Sequence, residues 1–275
     1  MIIHDGHVHT PFCPHGSKDQ LDCYIQKAIE LNIKGITFTE HAPLPLDFVD
    51  PVPEKDSAMT WENLTPYIQG IQQLKEKYKG EITILLGLEV DFIEGYEEQT
   101  RKILNEVGPY LDDAILSVHF LKHNNRYFCL DYSPEMFKTM ISVFGSVEAI
   151  YDAYFTTVQK SIDANLGTYK PKRIGHISLV KKFQQKFPTT KSYDTVFSQL
   201  LDSIKEKEMA LDYNSAGVVK PLCGEPYPPE SVIKGALERK IPLIYGSDAH
   251  SVKGLSQGIE KLYSGATLSV PEPLS

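Results

Sequence analysis

Short apolar runs alternate with longer stretches of helical periodicity along the whole chain. Runs with strand character fall at Ile2-Ile3, Gly35 to Thr39, Ile82 to Val90, Ala114 to Val118, Arg173 to Ile177, Met209 to Tyr213 and Ile241 to Tyr245. Between them, apolar positions recur with the 3.6-residue period of a half-buried helix. Leu21, Tyr24, Ile25, Ala28 and Ile29 form one such stripe, with Ser17 as a possible N-cap. The others span Trp61 to Tyr78, Tyr96 to Val107, Val147 to Asn165, Asp194 to Glu208 and Pro229 to Arg239. Pro66 lies inside the second of these, which leaves open whether that helix starts at Trp61 or starts or kinks at the proline.

Alternating strands and helices point to βα units around a parallel sheet, and no linker or shift in composition divides residues 1–275 into more than one domain. Six of the seven runs end in or beside a histidine or carboxylate, and the sixth run in chain order ends at Asn214. Polar groups drawn from strand ends along the whole chain converge only if the sheet closes, whereas an open doubly wound sheet would string them along one edge. The expected fold is therefore α/β, a distorted TIM-like (β/α)7 barrel. Two connections, Ala42 to Thr60 and Phe120 to Ser146, read as long loops over the barrel mouth that shape a pocket.

Composition narrows the function. The chain is 41% hydrophobic and carries a net charge of −8 with no block of Lys or Arg, which argues against a nucleic-acid partner and suits metal cations. No apolar stretch approaches the roughly 18 residues of a membrane span. His4, Asp5 and His7 interrupt the N-terminus before a signal-peptide core could form, so a cytoplasmic protein without a membrane partner is expected. Cys13, Cys23, Cys129 and Cys223 lack CxxC spacing and read as ordinary thiols, Cys13 merely lying close to the candidate ligands.

Those ligands are the polar residues at the strand ends. In His7-Val8-His9 two imidazoles fall on the same side of an extended backbone, where both can bind one ion. Alone, such a pair is a ligand pair about as often as a chance or capping arrangement. Ser247-Asp248-Ala249-His250 repeats the spacing near the other end, and the first and last strands are neighbours in a closed barrel. Glu89 closes the apolar run Ile84 to Leu88, where a carboxylate is costly to bury unless paired or metal-bound, and its two oxygens can bridge two ions. His119 and His176 can complete a second shell; His41 could otherwise be a histidine capping a loop, and His15, on a loop stiffened by Pro14 and Gly16, reads by itself as structural. Mixed imidazole and carboxylate donors suit zinc, manganese or iron, and the number of candidates fits two or three ions.

His7-Val8-His9, Thr39-Glu40-His41, Gly87-Leu88-Glu89, Ser117-Val118-His119, Gly175-His176 and Ser247-Asp248-Ala249-His250 closely resemble, in order, the motifs of the polymerase and histidinol phosphatase (PHP) superfamily. Phe12-Cys13-Pro14-His15-Gly16-Ser17, Ser117 to Leu121, Leu130-Asp131-Tyr132-Ser133 and Gly224-Glu225-Pro226-Tyr227-Pro228 resemble its histidinol-phosphate phosphatase branch. The resemblance implies a distorted (β/α)7 barrel holding three divalent ions, zinc ahead of iron or manganese. One ion would take His7, His9, Glu89 and Asp248; the second Glu89, His119 and His176; the third His15, His41 and His250. His4 and His123 belong to no motif and are read as non-ligands.

The activity implied is hydrolysis of L-histidinol phosphate to L-histidinol and phosphate in histidine biosynthesis. A metal-bridging hydroxide would attack in line, with Glu89 and Asp248 as the catalytic carboxylates. Where the family often carries an arginine near Val219 this chain has only Lys220, so phosphate contact falls to Lys220 or Lys182; Glu225, Tyr227 or Phe12 would lie near the rest of the substrate. Covalent phosphatase routes have no candidates, because the chain contains neither a CxxxxxR loop nor a DxDx(T/V) motif. The alternatives are another phosphoesterase, such as a protein-tyrosine phosphatase or nuclease-like relative, and a metal-binding module without catalysis. The acidic surface, the branch-type runs and the complete ligand set weigh against them.

Overall fold

The computed structural model describes residues 4–274. In chain order the elements begin with β1 (His4–Val8), α1 (Leu21–Glu30), β2 (Gly35–His41), α2 (Trp61–Lys77), β3 (Thr83–Asp91), α3 (Glu97–Val107) and β4 (Asp113–Ser117). Then come β5 (Phe120–His123), β6 (Arg126–Cys129), α4 (Pro134–Phe144), α5 (Val147–Asp163), β7 (Arg173–Ile174) and α6 (Asp194–Glu206). The chain ends with β8 (Ala210–Asn214), α7 (Ala216–Val219), α8 (Glu230–Glu238), β9 (Leu243–Gly246) and β10 (Leu268–Ser269).

Strands β1, β2, β3, β4, β7, β8 and β9 follow one another in a parallel sheet, with the two-residue β10 added beside Leu243 and Ile244 of β9. The sheet curls round until β1 reaches the residues just beyond β9. There Asp248 N–H donates to His7 O at 2.8 Å and His9 N–H to Ala249 O at 3.0 Å. β1 also lies against β9, where a Cβ on Gly6 would come within 2.6 Å of Ile244, but these backbone hydrogen bonds fall past the C-terminal end of that strand. The seven-strand barrel expected from the sequence is thus present, with β10 as an unforeseen addition.

Helices α1 and α2 pack their apolar stripes on the barrel. Tyr24, Ile25 and Ala28 are the buried face of α1, and Leu64, Tyr67, Ile71 and Leu74 that of α2. Tyr67 also donates its hydroxyl to Phe38 O and Gly87 O, at 2.9 and 2.7 Å, tying α2 to β2 and β3. The barrel interior is polar as well as apolar. Arg173, 2% exposed, donates to Gly6 O at 2.9 Å and to the Asp113 carboxylate. Gly6 is glycine because a Cβ there would lie 2.7 Å from the Arg173 guanidinium.

Several expectations need correction. Ser17 does not cap α1: its hydroxyl donates to Asp19 at 2.8 Å, and the helix starts after Gln20 without a side-chain cap. Pro66 neither starts nor delays α2, which begins at Trp61 and carries the proline inside it. The segment from Phe120 to Ser146 is not one long loop but the antiparallel β5–β6 hairpin followed by α4. The run Ile2-Ile3 lies outside the described residues, and β1 is described from His4.

Candidate metal centre

The polar residues that end the strands meet at the C-terminal mouth of the barrel. Pairing of β2 with β3 sets His41 opposite Glu89, and β3 continues to Asp91. His119, His176 and Asp248 each follow their strands by two residues. Asp248 adopts a left-handed conformation, φ 51°, which non-glycine residues rarely hold without a local reason. Gly246 just before it admits no side chain, since a Cβ would come within 2.4 Å of Asp212 and 2.7 Å of His7.

Glu89, 1% exposed, lies at the centre. Its Oε2 is 3.3 Å from His7 Nε2, 3.5 Å from His9 Nε2 and 3.2 Å from His41 Nδ1. Its Oε1 is 2.8 Å from His176 Nε2 and 3.7 Å from His119 Nε2, and accepts from the Ser117 hydroxyl at 2.6 Å. The two oxygens therefore face different imidazole sets, as a carboxylate shared by two cations must. Asp248 Oδ1 is 3.3 Å from His9 Nε2, and its other oxygen accepts from Asn214 Nδ2 at 3.2 Å.

Donor atoms gather in three groups, each within 4.8 Å: His7, His9 and Glu89; Glu89, His119 and His176; and His9, Cys13, His41 and His250. These groups fit metal ions. His7 Nε2 and His9 Nε2 stand 3.3 Å apart beside the same carboxylate oxygen, a crowd of lone pairs that a divalent cation satisfies. His41 Nδ1, although near Glu89, has no aligned hydrogen-bond partner. His15 sits at the margin of the third group, its ring centroid 5.1 Å from that of His250 and 5.3 Å from that of His41. The thiol of Cys13 is drawn into that group more closely than its reading as a bystander implied.

The carboxylates concentrate negative charge on the cluster, and the imidazoles they keep protonated would release those protons to a cation that binds. Burial alone would push the imidazoles towards neutrality, but Asp212, Glu89 and Asp248 outweigh it at His7 and hold that ring well above its ordinary pKa. Burial is likewise overcome at His9, raised to about 9 by Asp248 and Glu40, and at His119, raised to about 10 by Asp91 and Glu89. Burial would raise Glu89 and Asp248 too, yet the imidazoles keep both far below the usual carboxylate range. His250 goes the other way, lowered to about 3 by burial and by its neighbour His9, so its ring is a neutral donor.

A second layer escaped the sequence reading. His7 Nδ1 is 2.8 Å from Asp212 Oδ2, His119 Nδ1 is 2.8 Å from Asp91 Oδ1, and His9 Nδ1 is 3.2 Å from Glu40 Oε1. Glu40 in turn accepts from Thr10 N–H at 2.8 Å. Each carboxylate fixes which imidazole nitrogen is left to bind a cation. Replacing Asp212 with asparagine should therefore weaken metal retention about 10- to 100-fold. Titration of the metal-depleted variant against the parent checks this, and equal affinities would refute the orienting role.

The mouth opens into a cavity of ≈ 470 Å³. Lys182, Lys220, Tyr132 and Tyr227 line it together with His15, His41, His119, His176 and His250. Lys182 Nζ is 2.9 Å from Asp131 Oδ2, while no charged partner lies near Lys220 among the described residues. Tyr227 belongs to the wall, as expected, but Glu225 and Phe12 do not. Glu225 is paired with Lys181, and Phe12 packs edge-on against Tyr67. His4 and His123 stay out of the cluster: His4 Nε2 meets the Thr37 hydroxyl at 2.7 Å, and the His123 ring packs on Phe144.

Comparison with known proteins gives a consistent picture. The PHP domain family matches residues 5–216. Histidinol-phosphatase of Bacillus subtilis is 48% identical over 262 residues, covering 94% of this chain and 98% of the relative. A solved structure of HisK from Listeria monocytogenes superimposes with a TM-score of 0.91 at 39% identity, covering 94% of this chain and 100% of that one. Histidinol phosphate phosphatase from Lactococcus lactis, solved with zinc, L-histidinol and phosphate, shares the fold with a TM-score of 0.70 at 20% identity, covering 98% and 97% of the two chains. No helix of the described residues is long and apolar enough to cross a membrane.

Proposed function

The chain belongs to the PHP family, and from that premise we infer that it is a histidinol-phosphatase, hydrolysing L-histidinol phosphate to L-histidinol and phosphate in histidine biosynthesis. The observation that carries this reading is Glu89, whose two oxygens face separate imidazole sets at the floor of a cavity large enough for a small phosphomonoester. Residues 1–275 are read as one catalytic barrel domain.

Three divalent ions fit the donor set, with zinc ahead of iron or manganese because imidazoles outnumber carboxylates. His7, His9, Glu89 and Asp248 would hold the first, Glu89, His119 and His176 the second, and His15, His41 and His250 the third, with Cys13 beside them. When bound, such ions neutralise the phosphate oxygens and make a water acidic enough to attack phosphorus near neutral pH.

The protein's own groups do the rest. Asp248 is anionic, fixed by Asn214 and close to His9, and so is placed to orient the attacking water and take its proton. Lys220 lines the cavity without an ion-pair partner among the described residues and would contact the phosphate. Lys182 would have to share its ammonium with Asp131 or turn from that carboxylate to do the same. Ser117 donates to Glu89 and would hold that carboxylate between its two imidazole sets.

The test is purification with metal analysis, followed by phosphate release from histidinol phosphate, nucleotides, sugar phosphates and a phosphotyrosine peptide. Histidinol phosphate should exceed every other substrate in kcat/KM by at least about tenfold, which is roughly 1.4 kcal/mol of transition-state binding. Removing metal with a chelator should abolish release and adding zinc should restore it. Release that persists after complete metal removal, or a panel without a preferred substrate, would overturn the reading.

A further inference from the structure

Asp131 belongs to the run Leu130-Asp131-Tyr132-Ser133, and nothing so far gives its carboxylate a task beyond holding Lys182. The cavity wall contains four carboxylates: Asp56, Glu89, Asp131 and Asp248. Glu89 and Asp248 are committed to the imidazole cluster. Asp131 is not: its Oδ2 accepts from Lys182 Nζ at 2.9 Å, and its Oδ1 has only the weak thiol donor of Cys129, at 3.3 Å. Side-chain exposures of 22% for Lys182 and 19% for Asp131 leave both charges open to whatever fills the cavity.

An entering phosphate dianion competes for the Lys182 ammonium. As that ammonium turns towards phosphate, Asp131 keeps only the weak thiol donor of Cys129 as a close partner, which is costly for a carboxylate whose side chain is only 19% exposed. A substrate that brings its own cation removes that cost. In histidinol phosphate the amine sits on the carbon next to the one bearing the phosphate ester, so anion and cation enter side by side.

Resting on the histidinol-phosphatase reading, we propose that Asp131 is a specificity-determining residue that accepts the substrate ammonium when the phosphate draws Lys182 away. The internal ion pair is exchanged for two pairs with the substrate. Phosphomonoesters without a neighbouring cation strand Asp131 and are turned over less well, which gives an acidic wall a use in an enzyme whose substrate is an anion.

The experiment compares kcat/KM for L-histidinol phosphate and for its des-amino analogue in the metal-loaded parent and in Asp131→Asn. The parent should prefer the amine by about 10²-fold, since a site built around a polar group rejects the analogue lacking it, and Asp131→Asn should reduce that ratio to within a few-fold of one. Asp56→Asn, which alters the other wall carboxylate outside the imidazole cluster, should keep the parent's ratio. A parent indifferent to the amine overturns the proposal. So does an Asp131→Asn variant that loses activity on both substrates equally, because Asp131 would then serve only to hold Lys182. If Asp131→Asn does not fold by circular dichroism, Asp131→Ser is measured with the same pair. A parent that hydrolyses other phosphomonoesters but not histidinol phosphate defeats the functional reading itself, an outcome distinct from all of these.

Discussion

Glu89→Gln should lower turnover of histidinol phosphate by at least about 10³-fold, or roughly 4 kcal/mol of barrier, and bring bound metal down with it. The amide keeps the shape of the side chain and can still accept from Ser117, but it removes the negative charge that five imidazoles approach within 4 Å. It also replaces one of two acceptor oxygens with an NH₂ donor facing lone pairs. Since the cluster lies at strand ends rather than in the apolar core, circular dichroism should show a folded barrel. Activity above about a tenth of the parent at saturating zinc, or an unchanged metal content, would rule out a shared carboxylate at this position.

Arg173→Met should cost about 3–5 kcal/mol of folding stability, the penalty for breaking a buried ion pair and stranding its partner. Burial raises the pKa of Asp113 and Arg173 opposes that rise, so losing the guanidinium leaves an anion with no counter-charge in the barrel interior. Asp212 loses a cation 3.8 Å away as well. Against a total stability of about 5–15 kcal/mol this is a large fraction, and it corresponds to a fall in Tm of roughly 6–20 °C. Adding Asp113→Leu to Arg173→Met should return part of the loss, because the stranded charge is then gone. A single variant within about 1 kcal/mol of the parent in urea would show that the pair contributes little.

Part of the site was legible because His7 and His9 keep the two-residue spacing of a strand, which survives into three dimensions as a shared side. Asp248 and His250 have the same spacing in sequence but lie past the end of β9, with Asp248 at φ 51°, so there the spacing marked the right residues without being strand alternation. Glu89 announced itself by following an apolar run. Asp91, Asp212 and Glu40 gave no such signal, since a carboxylate at a strand end has no mark until the imidazole from another strand arrives beside it. Arg173 likewise looked like the polar start of a strand.

The hairpin and α4 were missed although local signals existed. Asn124 and Asn125 both take positive φ, 46° and 58°, the conformation that two-residue hairpin turns require and asparagine tolerates. Ser133 accepts from Met136 N–H as an N-cap, Pro134 follows it, and Gly145 at φ 100° ends the helix. Strands of four residues with lysine and histidine in them are too short and too polar for periodicity to reveal, so the turn residues were the only usable signal.

The seam between His7, His9, Asp248 and Ala249 has a consequence for the order of assembly. Two hydrogen bonds close the barrel there, and they join residues from opposite ends of the chain. Contacts so distant in sequence carry a high loop-closure cost and form late in folding. A partly folded chain can bring His7, His9 and Glu89 together on the neighbouring strands β1 to β3, but Asp248 completes the first donor set only when the last strand docks on the first. The fourth ligand of that set is thereby coupled to completion of the fold, and by mass action an ion bound through it would act as a latch on the joint between the two ends of the chain.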